Sequence, residues 1–110
     1  SMLYGCSSLT TAPSLPATTL ADSCYYAMFY GCSSLTTAPS LPATTLDVDC
    51  YNSMFRGCTN LKVNQNGVGN EIFTCPSTSG LDSPVDNMFA GTGGSFTGTP
   101  TQGNTYNWYN

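Results

Sequence analysis

The feature of this sequence that most constrains its fold is an exact internal repeat. The seventeen residues YGCSSLTTAPSLPATTL occur at 4–20 and again at 30–46, so the two segments start 26 positions apart. When the chain is aligned on methionine, the first two copies share 20 of 26 positions. Periods of about 20 to 50 residues are typical of units that stack, because one unit cannot bury its own apolar face. The repeat therefore predicts that neighbouring copies pack on one another.

The alignment divides the chain into three parts. Residues 1–63 contain near-identical copies, and residues 64–82 form an insertion in which Asn66-Gly67 predicts a tight hairpin turn. Residues 83–110 contain a degenerate fourth copy and an ending, NTYNWYN, that we expect to cap the last unit. The copies start at Met2, Met28, Met54 and Met88.

Each copy carries signals for a short helix. A residue that favours helix N-caps stands five positions before each of the last three methionines: Ser23, Asp49 and Ser83. A glycine, suited to the left-handed conformation that ends a helix, stands three positions after every methionine: Gly5, Gly31, Gly57 and Gly91. The segment CYYAMFYG therefore predicts a helix of about two turns.

The residues after each glycine predict a short strand. One repeating position holds Leu9, Leu35, Leu61 and Phe96, and threonine, which favours strands, follows the leucine in the first two copies. A proline then ends the strand, and Leu15 and Leu20 are expected to be buried in the extended arm that follows. The predicted fold is an α/β solenoid with one short strand and one short helix in each coil of about 26 residues, capped at the C-terminus.

The frame LPATTLADSCYYAMFYGCSSLTTAP resembles the BspA-like leucine-rich repeats of surface proteins from gut and oral bacteria. In that family a proline-led segment precedes an Ala-Phe pair and then Gly-Cys-Ser-Ser-Leu-Thr, and here Met28-Phe29 stands where Ala-Phe is usual. The resemblance covers residues 2–63 closely and 83–100 loosely. It implies a bacterial leucine-rich-repeat protein that is exported, belongs to a longer repeat-containing chain and functions as an adhesin.

Composition excludes several classes of function. Lys and Arg number 2 against 6 Asp and Glu, which leaves almost nothing to neutralise phosphates, so we expect no nucleic-acid partner. The chain has no histidine, so a Ser-His-Asp triad cannot be assembled, and we expect no enzymatic activity and no cofactor. No apolar run approaches the roughly 20 residues that span a bilayer, so membrane insertion is not expected. The uncharged polar composition is typical of a secreted or cell-surface protein.

The cysteines support two interpretations. They either form a core ladder of buried thiols that behave as small apolar residues, or pair one coil apart, as Cys6 with Cys24 or Cys32 with Cys50. A zinc site is not expected, because histidine and CxxC spacing are both missing. The predicted ladder comprises Cys6, Cys32 and Cys58 at one repeat position and Cys24 and Cys50 at another.

These observations predict a non-enzymatic binding or adhesion module that recognises a protein or glycan through the repeated strand face. Tyrosines, including Tyr4 and Tyr30, are candidates because aromatic rings stack on sugars and anchor interfaces. The predicted binding residues are Thr10, Thr36, Lys62, Thr97, Tyr25, Tyr26 and Tyr51. The alternative is a structural spacer or fibre segment, on a cell surface or resembling a phage tail fibre, that displays another domain.

Overall fold

The segments around the methionines, predicted to be helical, are runs of tight turns. In the computed structural model, which describes residues 3–110, no residue of that range is in a helix. Alternate N–H groups close turns: the Met28 N–H donates to the Tyr25 carbonyl at 3.2 Å. The N–H groups between them donate to the next copy, as Phe29 does to the Met54 carbonyl at 2.8 Å. An α-helix needs these donors for bonds four residues back, so it cannot form here.

The backbone of these segments visits the left-handed region at every fourth residue. In the first run φ is 57° at Ser23, 50° at Ala27 and 75° at Gly31. The equivalent residues of the later runs, all with positive φ, are Asp49, Ser53, Gly57, Ser83, Asn87 and Gly91. The predicted N-caps are thus turn residues. The segment is rich in Tyr, Phe, Ser and Cys, which are weak helix formers, and it is shorter than the roughly 12 residues that an isolated helix needs.

The first two copies pair with each other at equivalent residues. Thr11 and Thr37 form one parallel bridge, and Thr19 and Thr45 form a second. The predicted strands of these copies are therefore reduced to single bridges. Met2, the predicted start of the first copy, lies outside the described residues.

The regular sheet is built by the insertion, the fourth copy and the C-terminal segment. Its strands are β1 (Lys62–Gln65), β2 (Asn70–Thr74), β3 (Gly93–Gly94) and β4 (Thr105–Tyr109). The order is β2-β4-β1-β3, with β3 parallel to β1 and β4 antiparallel to both β1 and β2.

The C-terminal segment, predicted to cap the last copy, is an interior strand of this sheet. Because β4 lies between β1 and β2, no hairpin joins those two strands, and residues 66–69 cross from one side of β4 to the other. The Tyr106 side chain is fully buried; its hydroxyl donates to Gln65 Oε1 at 2.9 Å and accepts from the Thr101 N–H at 2.8 Å. In its central position β4 pairs its backbone groups on both edges, with β1 and with β2.

The prediction of an α/β leucine-rich-repeat solenoid is wrong. The described residues contain no helix, and their regular secondary structure is one small mixed sheet in a compact molecule of 34 × 29 × 22 Å. The glycines predicted to end helices are turn residues, because each run returns to positive φ every four residues. No helix in the part that the structure describes could cross a membrane.

The core is organised around stacked aromatic rings. The centroids of Phe29 and Phe55 are 5.4 Å apart, and those of Phe55 and Phe89 are 5.6 Å apart, with interplanar angles of 11° and 2°. Tyr106 from β4 packs on Phe89 at 5.6 Å. The core thus links the turn segments to the sheet.

Candidate functional site

Two tyrosines and an arginine form a column on the surface. The rings of Tyr4 and Tyr30 are stacked with centroids 4.8 Å apart, and Tyr4 is 57% exposed. The guanidinium carbon of Arg56 lies 5.7 Å from the Tyr30 ring centroid, within the range of a cation–π contact. We call Tyr4, Tyr30 and Arg56 the tyrosine column.

Glycines that follow each member allow this close stacking. The Gly5 N–H donates to the Tyr30 carbonyl at 2.7 Å, and the Gly31 N–H donates to the Arg56 carbonyl at 2.8 Å. At Gly31 φ is 75°, a conformation that side-chain-bearing residues adopt with strain. The 26-residue period therefore places equivalent side chains beside one another.

The structure brings together only two of the four residues predicted for the strand face. The Thr36 N–H and hydroxyl both donate to the Thr10 carbonyl, at 2.9 and 3.3 Å, and both threonines are exposed. Lys62 is flanked in the sheet by Gly93 and Tyr109 instead. Since β3 and β4 occupy both edges of β1, the segment with Thr36 does not pair with it. Thr97 is exposed and lies outside the strands.

The predicted tyrosines differ in accessibility. Tyr51 is buried, parallel to half-buried Tyr25 at 6.1 Å and edge-on to Phe73 at 5.7 Å. Burial raises the pKa of the Tyr51 and Tyr25 hydroxyls above their ordinary value. Tyr26 is 42% exposed. Of these three rings, Tyr26 is therefore the one that presents most of its surface to a ligand.

The thiols of the predicted ladder are free and unequally buried. Cys32, Cys50 and Cys58 are buried, Cys6 is half-buried and Cys24 is exposed, and no disulfide joins cysteines within residues 3–110. The Cys58 thiol donates to the Phe29 carbonyl at 3.0 Å, and the Cys32 thiol makes the equivalent bond to Leu3 at 3.1 Å. These thiols thus link one copy to the preceding one.

Burial makes two of the thiols, Cys58 and the insertion's Cys75, poor nucleophiles and ligands. It raises the pKa of Cys58 to about 12 and that of Cys75 to about 11. Thiolate is the reactive and metal-binding form, and little of it is present at neutral pH in these two groups. The described residues include no group of three or more Cys, His, Asp or Glu that could hold a metal ion.

We expect the free energy of unfolding to fall as the pH rises above about 9. In the unfolded chain the two thiols titrate near 9.0, whereas in the folded protein they hold their protons to about 12 and 11. Stability from this source is therefore fully present below pH 9. Above pH 9 each thiol lowers the free energy of unfolding by about 1.4 kcal/mol per pH unit. The two thiols together lower it by about 3 kcal/mol between pH 8 and 10, most of it above pH 9. Urea denaturation under reducing conditions measures the change.

The matched control for this titration is the double variant Cys58→Ala, Cys75→Ala. It should be less stable at pH 8 and should lose about 3 kcal/mol less between pH 8 and 10. An identical pH dependence in both proteins would contradict the assignment to these thiols.

Arg56 is a surface residue that the sequence reasoning missed. Its signal is its spacing, since it follows Tyr30 by the same 26 positions that separate Tyr30 from Tyr4. The third copy has arginine where the first two have tyrosine, and the sequence alone does not show that the copies lie close enough for this arginine to contact the ring.

Comparisons of this chain with protein-family models, with curated proteins and with solved structures return no match. The resemblance to the BspA-like repeats stays a prediction from the residues that carry it.

Proposed function

We propose that this protein is a non-enzymatic binding module that acts outside the cell or at the cell surface and holds a protein or glycan. The single observation that carries the proposal is the tyrosine column, in which exposed Tyr4 stacks on Tyr30 and Arg56 lies over the second ring. Equivalent positions of three copies thereby contribute to one continuous patch.

The column has the chemistry of a binding hot spot. Tyrosine and arginine are enriched among the residues that contribute most to protein interfaces, and tyrosine rings also stack on sugars. Stacking holds the Tyr30 ring between two neighbours, so little side-chain entropy remains to be lost on binding. The exposed hydroxyls of Thr10 and Thr36 offer a second pair of polar contacts.

The remaining chemistry supports binding rather than catalysis. The chain lacks histidine, and the buried thiols stay protonated at neutral pH because burial raises the pKa of Cys58 and Cys75. A net charge of −4 opposes association with nucleic acid. The few charged residues and many hydroxyls fit a protein displayed outside the cell.

The test is binding of the folded protein to an array of immobilised glycans and surface proteins. We expect Tyr4→Ala and Thr36→Arg each to weaken binding of the captured ligand at least about tenfold, the loss of one hot-spot contact. Val68→Ala is the matched control, because Val68 is 89% exposed and belongs to neither patch. It should bind as the parent does.

Two outcomes would reject the proposal. Equal binding by the parent and the three variants would show that the ligand contacts neither the tyrosine column nor the pair of Thr10 and Thr36. Absence of binding by a correctly folded parent would favour the alternative, a spacer or fibre segment. The longest dimension of 34 Å gives one such unit little reach as a spacer.

A further inference from the structure

We propose that a cavity between the extended arm of the second copy and the end of the insertion binds an uncharged saccharide. The cavity has a volume of about 320 Å³, at the lower end of the range for small-molecule sites. Its lining residues are Thr44, Thr45, Leu46, Ser77, Ser79 and Leu81. It shares no residue with the tyrosine column, so the proposal does not rest on the function given above.

The cavity exists because the end of the extended arm of the first copy pairs with the second copy, whereas the same end of the arm in the second copy does not pair with the third. Between the first and second copies, the Leu20 N–H donates to the Thr45 carbonyl at 3.2 Å, and the Thr44 N–H donates to the Thr18 carbonyl at 3.1 Å. The equivalent groups one copy later are the Leu46 N–H and the Thr44 carbonyl. Neither has a hydrogen-bond partner among residues 3–110.

The insertion explains the missing pairing. The third copy is eight residues longer than the first two, so residues 77–81 reach this side of the molecule along a different path. The Ser79 N–H bonds within its own segment, to Ser77 Oγ at 3.4 Å, and the Leu81 N–H bonds to the Thr78 carbonyl at 3.2 Å. The two segments therefore face each other across a gap instead of forming a bridge.

The lining chemistry matches a sugar ring. Four side chains offer hydroxyls, each of which can donate and accept, as a saccharide's own hydroxyls require. The hydroxyls of Thr44, Thr45 and Ser79 make no hydrogen bond to the part of the chain that the structure describes. Leu46 is buried and Leu81 half-buried, and they supply an apolar surface for the C–H face of the ring.

The same lining disfavours other ligands. No charged side chain lines the cavity, so it offers no partner to a phosphate, a carboxylate or an ammonium group. An extended peptide could use the unpaired Leu46 N–H and Thr44 carbonyl, but it would leave most of the four hydroxyls unmatched. The excess of hydroxyls over free backbone groups favours the saccharide.

The test uses the methyl glycosides of glucose, galactose, mannose and N-acetylglucosamine, titrated into ¹⁵N-labelled protein. A ligand of this size in a shallow site is expected to bind in the millimolar range. With at least one glycoside we expect saturable amide shifts at Thr44, Thr45, Leu46, Ser77 and Ser79. The double variant Thr44→Val, Thr45→Val removes two hydroxyls at nearly constant volume and should weaken that binding at least tenfold.

The repeat supplies a matched control. Thr18→Val, Thr19→Val makes the same change in the same ATTL context of the first copy, where the arm is paired. It should leave the shifts and the affinity unchanged. The proposal is overturned if no glycoside produces saturable shifts, if both double variants lose binding equally, or if an uncharged peptide shifts these amides and no glycoside does.

Discussion

Replacing Phe55 with alanine is expected to lower the free energy of unfolding by about 3–5 kcal/mol. Phe55 is the middle ring of the stack, in contact with Phe29 on one side and Phe89 on the other, and all three are fully buried. Its removal opens a cavity between two rings that the flanking copies hold apart, so the core cannot collapse to fill it. Urea denaturation monitored by tyrosine and tryptophan fluorescence gives the value.

Tyr4→Ala is the matched control for this variant, because Tyr4 also stacks on a ring 26 positions away but is 57% exposed. It should cost less than about 1 kcal/mol, since little apolar area is lost from a buried site. Comparable losses of unfolding free energy in the two variants would show that ring stacking, rather than burial, stabilises both the phenylalanine stack and the tyrosine column.

Replacing Gly94 with alanine is expected to cost about 2–5 kcal/mol through two separate effects. At Gly94 φ is 90°, a conformation that costs an alanine about 1–2 kcal/mol. A Cβ there would also lie 2.5 Å from both the backbone N and O of Val63, its partner in β1. These are backbone atoms, so β3 must move away from β1, and overpacking of this kind adds about 1–3 kcal/mol. Chemical denaturation measures the sum.

Gly103 separates the two effects. Its φ of 87° is nearly that of Gly94, but a Cβ there would have no atom within 4 Å. Gly103→Ala should therefore show the conformational cost alone, about 1–2 kcal/mol. If the two alanine variants were equally stable, the close approach of β3 to β1 would have to be rejected.

The local sequence signals were informative about single residues and misleading about the elements that contain them. The left-handed conformation predicted at Gly31, Gly57 and Gly91 is confirmed, with φ of 75°, 78° and 72°. The helix expected before each glycine is wrong. The same N–H groups could bond within the segment or to the neighbouring copy, and sequence periodicity does not distinguish these choices.

Burial of the aliphatic positions was predictable because it follows from the repeat alone. Leu15 and Leu20 are 8% and 6% exposed, which confirms their prediction as core residues. The place of β4 was not predictable in this way. Its pairing with β1 and β2 joins residues about 31 to 47 positions apart, and no local pattern in NTYNWYN specifies a partner that distant.

For both candidate sites, the sequence could indicate which residue types take part but not which residues lie next to one another in space. The tyrosine column follows from the 26-residue spacing once the copies are known to pair. The proposed saccharide site could not be predicted, because it is created by a pairing that fails. Thr44 and Thr45 have the same sequence context as Thr18 and Thr19, and only the path of the insertion makes their surroundings different.

The interior place of β4 has a consequence for the timing of folding during synthesis. Thr105 follows Thr74 by 31 positions, so at about 5–20 residues per second a ribosome needs about 2–6 s to supply it after β2 is complete. Throughout that interval the facing edges of β1 and β2 lack the strand that joins them, and open edges recruit other chains. The sheet is therefore completed late in synthesis. We expect the nascent chain to be most prone to aggregation in this interval, after β1 and β2 have been made and before β4 follows.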